Sequence, residues 1–143
     1  MKKLLLILCF VLSLCFPAFS IDLTTADSIT IAWDPVEDLI SGGLIPENTE
    51  VKYEVFITTL SDTAKENIEK IIENPILELE YTIKFELEGK FIFGVRSVRI
   101  VDGEAVAYSD IAWSDDPLYC RNGETFGAIY FVSLSNPKGF RIL

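Results

Sequence analysis

The chain has 143 residues, with 22 acidic against 12 basic side chains and no histidine, and a net charge of −10. That balance excludes phosphate-backbone binding as a main activity, since such binding draws on Lys and Arg, and it opposes anionic membrane surfaces. Lacking an imidazole, the chain is also excluded from Ser-His-Asp triads, Cys-His pairs and histidine-containing zinc sites.

Lys2 and Lys3 precede an apolar run from Leu4 to Phe16, and Pro17-Ala18-Phe19-Ser20 follows. This is the layout of a secretory signal peptide with cleavage after Ser20. The apolar run is short of the roughly 20 residues that span a bilayer. Cleavage would remove two basic residues and no acidic one, leaving ten against 22 and a net charge of −12. Cys9 and Cys15 would leave with the signal, so Cys120 is expected as a free thiol and packing alone must hold the core. The expected localisation is export, to the periplasm, the outer surface or the medium.

Ile21 to Asp27 reads as a mixed lead-in. Ser28 to Trp33 (SITIAW) alternates apolar and polar residues, the period of a half-buried strand. Asp34-Pro35 ends it, because proline lacks the N–H a ladder needs. Val36 to Glu50, with Gly42-Gly43 and Pro46, reads as a long loop. Val51 to Leu60 is the next strand, with Val51, Tyr53, Val55 and Ile57 facing inward and Phe56 outward. Ala64, Ile68, Ile71 and Ile72 then fall on one face of a helix, predicting a short inserted helix at about 62–74 that Asn74-Pro75 stops.

Leu77 to Leu87 (LELEYTIKFEL) alternates throughout, and eleven residues is long for one strand, which predicts a bend or bulge near Tyr81. After Gly89, Phe91 to Val98 is rich in aromatic and β-branched residues. Val101-Asp102-Gly103-Glu104 is a hairpin turn, since Asp-Gly supplies the positive φ it needs. Ala105 to Trp113 is the returning strand, ended by Asp115-Asp116-Pro117. Phe126 to Leu134 reads as an additional or continued strand.

These elements describe an all-β, immunoglobulin-like two-sheet sandwich with one inserted helix. At the residue level the chain resembles the fibronectin type III domain. The resemblance rests on Trp33-Asp34-Pro35 at the end of an early strand, on Tyr53-Glu54-Val55, on Phe91, Phe93, Val95 and Ser97 along a late strand, and on Gly103 followed by Ser109 in the last hairpin. It covers Ile21 to Trp113. It implies that Leu77–Leu87 and Phe91–Val98 belong to opposite sheets, with Gly89 in the crossover between them. Phe91 stands where the family usually has a tyrosine corner, and it carries no hydroxyl. The expected organisation is therefore a signal at 1–20, a fibronectin type III-like sandwich at 21–117 and an extension at 118–143.

No phosphate loop, dinucleotide fingerprint or calcium-loop spacing occurs. Glu78, Glu80, Glu86 and Glu88 lie on the polar side of an alternating strand and read as a solvated face. Asp110, Asp115 and Asp116 could hold calcium with backbone carbonyls, but a plain polar turn is the favoured reading. Trp33 reads as a core anchor, and Phe56 and Ile92 as an outward apolar patch unless the helix covers them.

The expectation is a non-enzymatic, exported module for protein–protein contacts at a bacterial cell envelope. It has no catalytic, cofactor or metal residues, and its contact surface is the loops Val36–Glu50 and Ile100–Ala105. The protein partner is unknown, nucleic acid is not expected, and no membrane insertion is expected after signal cleavage. The alternative is a carbohydrate-binding or enzyme-accessory module, in which Trp113 and other aromatics would line up on an exposed flat face.

Overall fold

The alternating segments become strands, and the two richest in aromatic and β-branched residues become the longest. The computed structural model describes residues 20–39 and 41–134. Its strands are β1 (Asp22–Thr25), β2 (Ser28–Ala32), β3 (Thr49–Thr59), β4 (Glu69–Lys70), β5 (Glu80–Lys84), β6 (Gly89–Val101), β7 (Glu104–Tyr108), β8 (Ala112–Trp113) and β9 (Phe126–Tyr130). The chain is nearly all β, and its two sheets pack as a sandwich.

The larger sheet is built on the antiparallel pair β3–β6, which stays in register from Thr49↔Val101 to Thr59↔Phe91. β4 adds to the outer edge of β3. The other edge of β6 is filled in turn by β7, β8 and β9. β1 then pairs with β9 in parallel. The smaller sheet is only β2 and β5, antiparallel from Ser28↔Lys84 to Ala32↔Glu80.

The core lies between the sheets. Ile31 of β2 and Ile83 of β5 meet Val55, Phe91, Phe93 and Ala128 of the larger sheet. Phe85, just past β5, stacks on Phe91 at 5.2 Å and on Tyr130 at 5.9 Å. Burying each such side chain is worth about 1.5–3 kcal/mol. Phe85 and Phe93 face each other across the core at 6.3 Å and do not pair as strand neighbours. The chain therefore changes sheets between Lys84 and Gly89, but the expectation that Gly89 lies in the crossover is corrected: Gly89 is the first residue of β6 and pairs with Tyr130, because the free edge of β9 takes it into the ladder.

Several expectations are corrected. No helix forms at 62–74. Asp62 accepts hydrogen bonds from the N–H groups of Glu66 (3.1 Å) and Asn67 (2.7 Å), closing a turn in which Lys65 takes a positive φ of 53°. The chain then runs along the edge of β3, where Lys70 pairs with Phe56 and the N–H of Ile71 donates to Val55 O at 2.9 Å. An exposed edge of backbone donors and acceptors outcompetes a helix too short to offset its own nucleation. Ile72 still reaches the core, from an extended segment.

Phe56 and Ile92 are not an outward patch, since they are only 6% and 1% exposed. The Arg96 guanidinium lies 5.1 Å from the Phe56 ring and 4.4 Å from the Tyr108 ring. It also pairs with buried Glu54 at 2.6 Å, which Lys70 reaches from the other side at 3.1 Å.

The long alternating segment is a strand only from Glu80 to Lys84. Bends at Leu77 and Leu79 precede it, and Leu77, Leu79 and Leu87 are exposed. The lead-in contains β1, and Phe126–Tyr130 is a full member of the larger sheet.

The returning strand is interrupted twice, and a serine mends each break. Ser109 Oγ accepts the N–H of Ser97 at 3.0 Å, and Ser114 Oγ accepts the N–H of Phe93 at 3.0 Å. After Ser114 the chain leaves the sheet, makes a 3₁₀ turn at Arg121–Gly123, and returns where the Phe126 N–H donates to Ser114 O at 2.9 Å. Gly127 is required on the return. A Cβ there would meet Phe91 O at 2.6 Å and Leu23 Cδ2 at 2.8 Å. The expected signal lies outside the described residues except for Ser20. No helix among the described residues is long and apolar enough to cross a membrane.

Candidate functional site: a groove over the uncovered half of the long ladder

The two sheets differ in length. The β3–β6 ladder runs for the 11 residues of β3, whereas β2 and β5 have 5 each. Asp34-Pro35 is the cause, since β2 cannot continue as a strand past Trp33, whose N–H makes a last bond to Leu79 O at 2.9 Å. Six rungs at about 3.3 Å leave some 20 Å of ladder without a facing sheet.

Among the described residues, the loop from Asp34 to Asn48 supplies most of the cover over that stretch. The loop is anchored where the Val36 N–H donates to the Tyr53 hydroxyl at 3.0 Å. It folds on itself through the Asp38↔Leu44 bridge and a Gly43 carbonyl that accepts the Leu39 N–H at 2.8 Å. Gly42, at φ 79°, makes the reversal.

Between loop and sheet lies a groove of about 680 Å³, within the size range of ligand pockets. Val51, Tyr53, Val95, Ser97 and Arg99 form its floor. Val36, Leu39 and Ile45 line it from the loop, and Ala107 and Ser109 from the far edge. Trp33 and Tyr119 close the end nearest the core, where the Trp33 and Tyr53 rings meet at 5.6 Å. A second cavity of about 310 Å³ shares Trp33, Val95, Ala112 and Tyr119 with the first and extends toward Ser114 and Cys120.

The polar groups of the groove are unusual. Among the described residues, Trp33 Nε1, Thr49 Oγ1 and Arg99 Nε are shielded from water with no hydrogen-bond partner, and all three residues line this groove. Leaving such groups unpaired costs about 1–3 kcal/mol each. Asp34, Asp38 and Asp110 also line it, against Arg99 as its one basic residue. Asp34 pairs with Arg121 at 3.0 Å, but both side chains are about 80% exposed, so solvent screens that contact.

Of the two loops expected to make contacts, Val36–Glu50 walls the groove and Ile100–Ala105 does not line it. Both sit at one end of the larger sheet, where Thr49 pairs with Val101. Trp33 remains packed against the core but also forms the wall between the two cavities. Tyr53, Ser97, Arg99 and Tyr119 were not anticipated as site residues. A signal for them exists in β6, where the inward positions read Phe91, Phe93, Val95, Ser97, Arg99. The change from apolar to polar on one face marks where the covering sheet stops.

Trp113 is half-buried. Gly94 lies against one part of its ring, and the Lys65 ammonium is 5.5 Å from its centroid. The acidic residues considered for calcium are used separately. Asp115 pairs with Lys65 at 2.9 Å, and Asp116 Oδ1 accepts the Leu118 N–H at 2.9 Å. Among the described residues no group of three or more His, Cys, Asp or Glu is placed to hold a metal ion. Glu78, Glu80, Glu86 and Glu88 are all exposed. The Cys120 thiol is unpaired and donates to Ser114 O at 3.3 Å. Burial, then the charges of Asp116 and Asp115, push its pKa up, which makes it a poor nucleophile.

No protein-family model matches the chain, and no curated protein is similar to it at a significant level.

Proposed function

We propose that the chain is an exported, non-catalytic sandwich module of fibronectin type III kind that holds a protein partner in the groove beneath the Asp34–Asn48 loop. The groove carries this reading: a sizeable, mostly apolar trough whose wall contains unpaired polar groups, at the end of a sandwich where loops collect. The strand pairing supports the family assignment. β2 with β5 matches the B–E pair of such sandwiches, and β4, β3, β6 and β7 match the order C′, C, F, G. The parallel β1–β9 pair and the divided last strand are this chain's own departures.

Trp113 is half-buried with the Lys65 ammonium over its ring, which favours a protein partner over a sugar, since a sugar would want a flat aromatic face open to solvent. Asp34, Asp38 and Asp110 do converge on the groove, yet all three residues are exposed, unlike the desolvated acid of a glycosidase.

Ser97→Trp tests the proposal, because it fills the floor of the groove from a half-exposed position. The wild-type protein is expected to retain one defined partner from an envelope extract, identified by mass spectrometry. The variant is expected to lose that partner while keeping its urea midpoint. Equal retention by both would refute the groove.

A further inference from the structure

We propose that the occupant of the groove is an extended peptide segment whose apolar side chains are flanked by Lys or Arg. The inference rests on the reading of the groove as a partner site and names the chemistry of that partner.

Shape is the first reason. The floor follows β6 from Val95 to Arg99, a run of about 13 Å at strand spacing, which matches four residues of an extended chain. The floor is apolar at Val51 and Val95 and faces Val36 and Ile45 across the groove, so an apolar side chain gains from insertion.

Charge is the second. Among the described residues, Asp34, Asp38 and Asp110 line the groove with Arg99, Arg121 reaches Asp34 at 3.0 Å, and Glu37 and Glu47 belong to the same loop, so acids outnumber bases by five to two. A carboxylate-bearing lipid would bring negative charge into that field, and so would a second copy of a chain of net charge −10. A segment with Lys or Arg at its ends complements the field instead.

The third reason is hydrogen bonding. Trp33 Nε1 and Arg99 Nε can only donate. Both atoms are shielded from water while their residues line the groove, so they serve an occupant only when neighbouring side chains move aside to admit an acceptor. An extended peptide offers a carbonyl oxygen at every residue.

The test is fluorescence anisotropy on the protein recovered from an exporting host expressing the full chain. The probes are labelled, end-blocked KVLVK and EVLVE peptides, with decanoate and cellohexaose as competitors. The expected result is that KVLVK binds at least about tenfold more tightly than EVLVE at low salt, and that the gap narrows at about 0.5 M salt as screening sets in. Asp38→Asn combined with Asp110→Asn should weaken KVLVK about three- to tenfold and leave EVLVE no weaker. Ser97→Trp should abolish binding, and Ala107→Trp, at an exposed site on the same groove, replaces it if that variant does not fold.

Equal affinity for the two peptides overturns the charge argument. KVLVK binding that survives groove filling overturns the location. Binding of decanoate or cellohexaose with neither peptide bound overturns the peptide class. If neither peptide binds while Ser97→Trp still abolishes partner capture, this inference fails and the groove reading stands.

Discussion

The β3–β6 ladder floors two very different regions. Around Val55, Phe91 and Phe93 it is roofed by β2 and β5, and the contact is a buried, largely aromatic core. Around Val51, Ser97 and Arg99 the same two strands, still in register, are roofed by a loop, and the result is a groove with unpaired polar atoms in its wall. The backbone pairing does not differ between the halves. What differs is the cover, and that is decided by one proline three residues past the last rung pair of β2. A groove in a sandwich can thus arise from a length mismatch between sheets.

The largest effect that would sharpen this contrast is expected in the sheet-covered half. Phe93 is 2% exposed and touches both sheets, so Phe93→Ala should cost about 3–5 kcal/mol in a urea melt. Gly127→Ala comes next, at about 1–3 kcal/mol, because its Cβ would press on the backbone oxygen of Phe91. A neutral result there would detach β9 from the fold. Val51→Ala, on the groove floor and only half-buried, should cost about 1 kcal/mol or less. A loss near that of Phe93→Ala would mean that the two halves are one core.

Acid should separate the halves more subtly. Chiefly the Asn67 and then the Glu66 N–H hold the Asp62 carboxyl below its ordinary range, in the surface turn that follows β3 beside Thr58. Its folded pKa lies below its unfolded one. Its contribution is therefore complete above about pH 4 and is lost as pH falls through the folded value. Asp62→Asn should lower the urea midpoint at pH 7 and flatten its decline toward pH 3. The smallest effect concerns Cys120, whose raised pKa and half-buried position should make iodoacetamide labelling at pH 8 slower in the folded protein than in urea. Equal rates would show the thiol to be open.

The sequence made the strands legible wherever a period of two coincided with a buried face. The expected strands Ser28–Trp33, Val51–Leu60 and Phe91–Val98 fall on β2, β3 and β6 with ends shifted by up to three residues, and the Asp102-Gly103 turn takes the positive φ that its residues permit. Three features were hidden for physical reasons. The isoleucines of 68–72 carry a helical spacing, but the unfilled edge of β3 is a non-local demand that no local window contains. Leu77, Glu78 and Leu79 alternate without a strand beside them to pair with. The excursion after Ser114 depends on a hydroxyl substituting in a ladder more than ten residues from its return. The groove was half legible. The loop that walls it was anticipated, while Ser97 and Arg99 were passed over as ordinary strand residues because their polarity was not set against the parity of Phe91 and Phe93.

The parallel pair of β1 with β9 has a consequence for how the molecule comes into being. Asp22 waits for Phe126, about a hundred residues later, and closing so long a loop is entropically unfavourable until much else is in place. The hairpin of β6 and β7 can form on its own as the chain emerges, but the sheet gains its last edge only when both ends of the chain are available. Folding should accordingly be slow, on the order of milliseconds to seconds, and until it finishes one side of β6 near Phe91 stays open to any extended chain that passes.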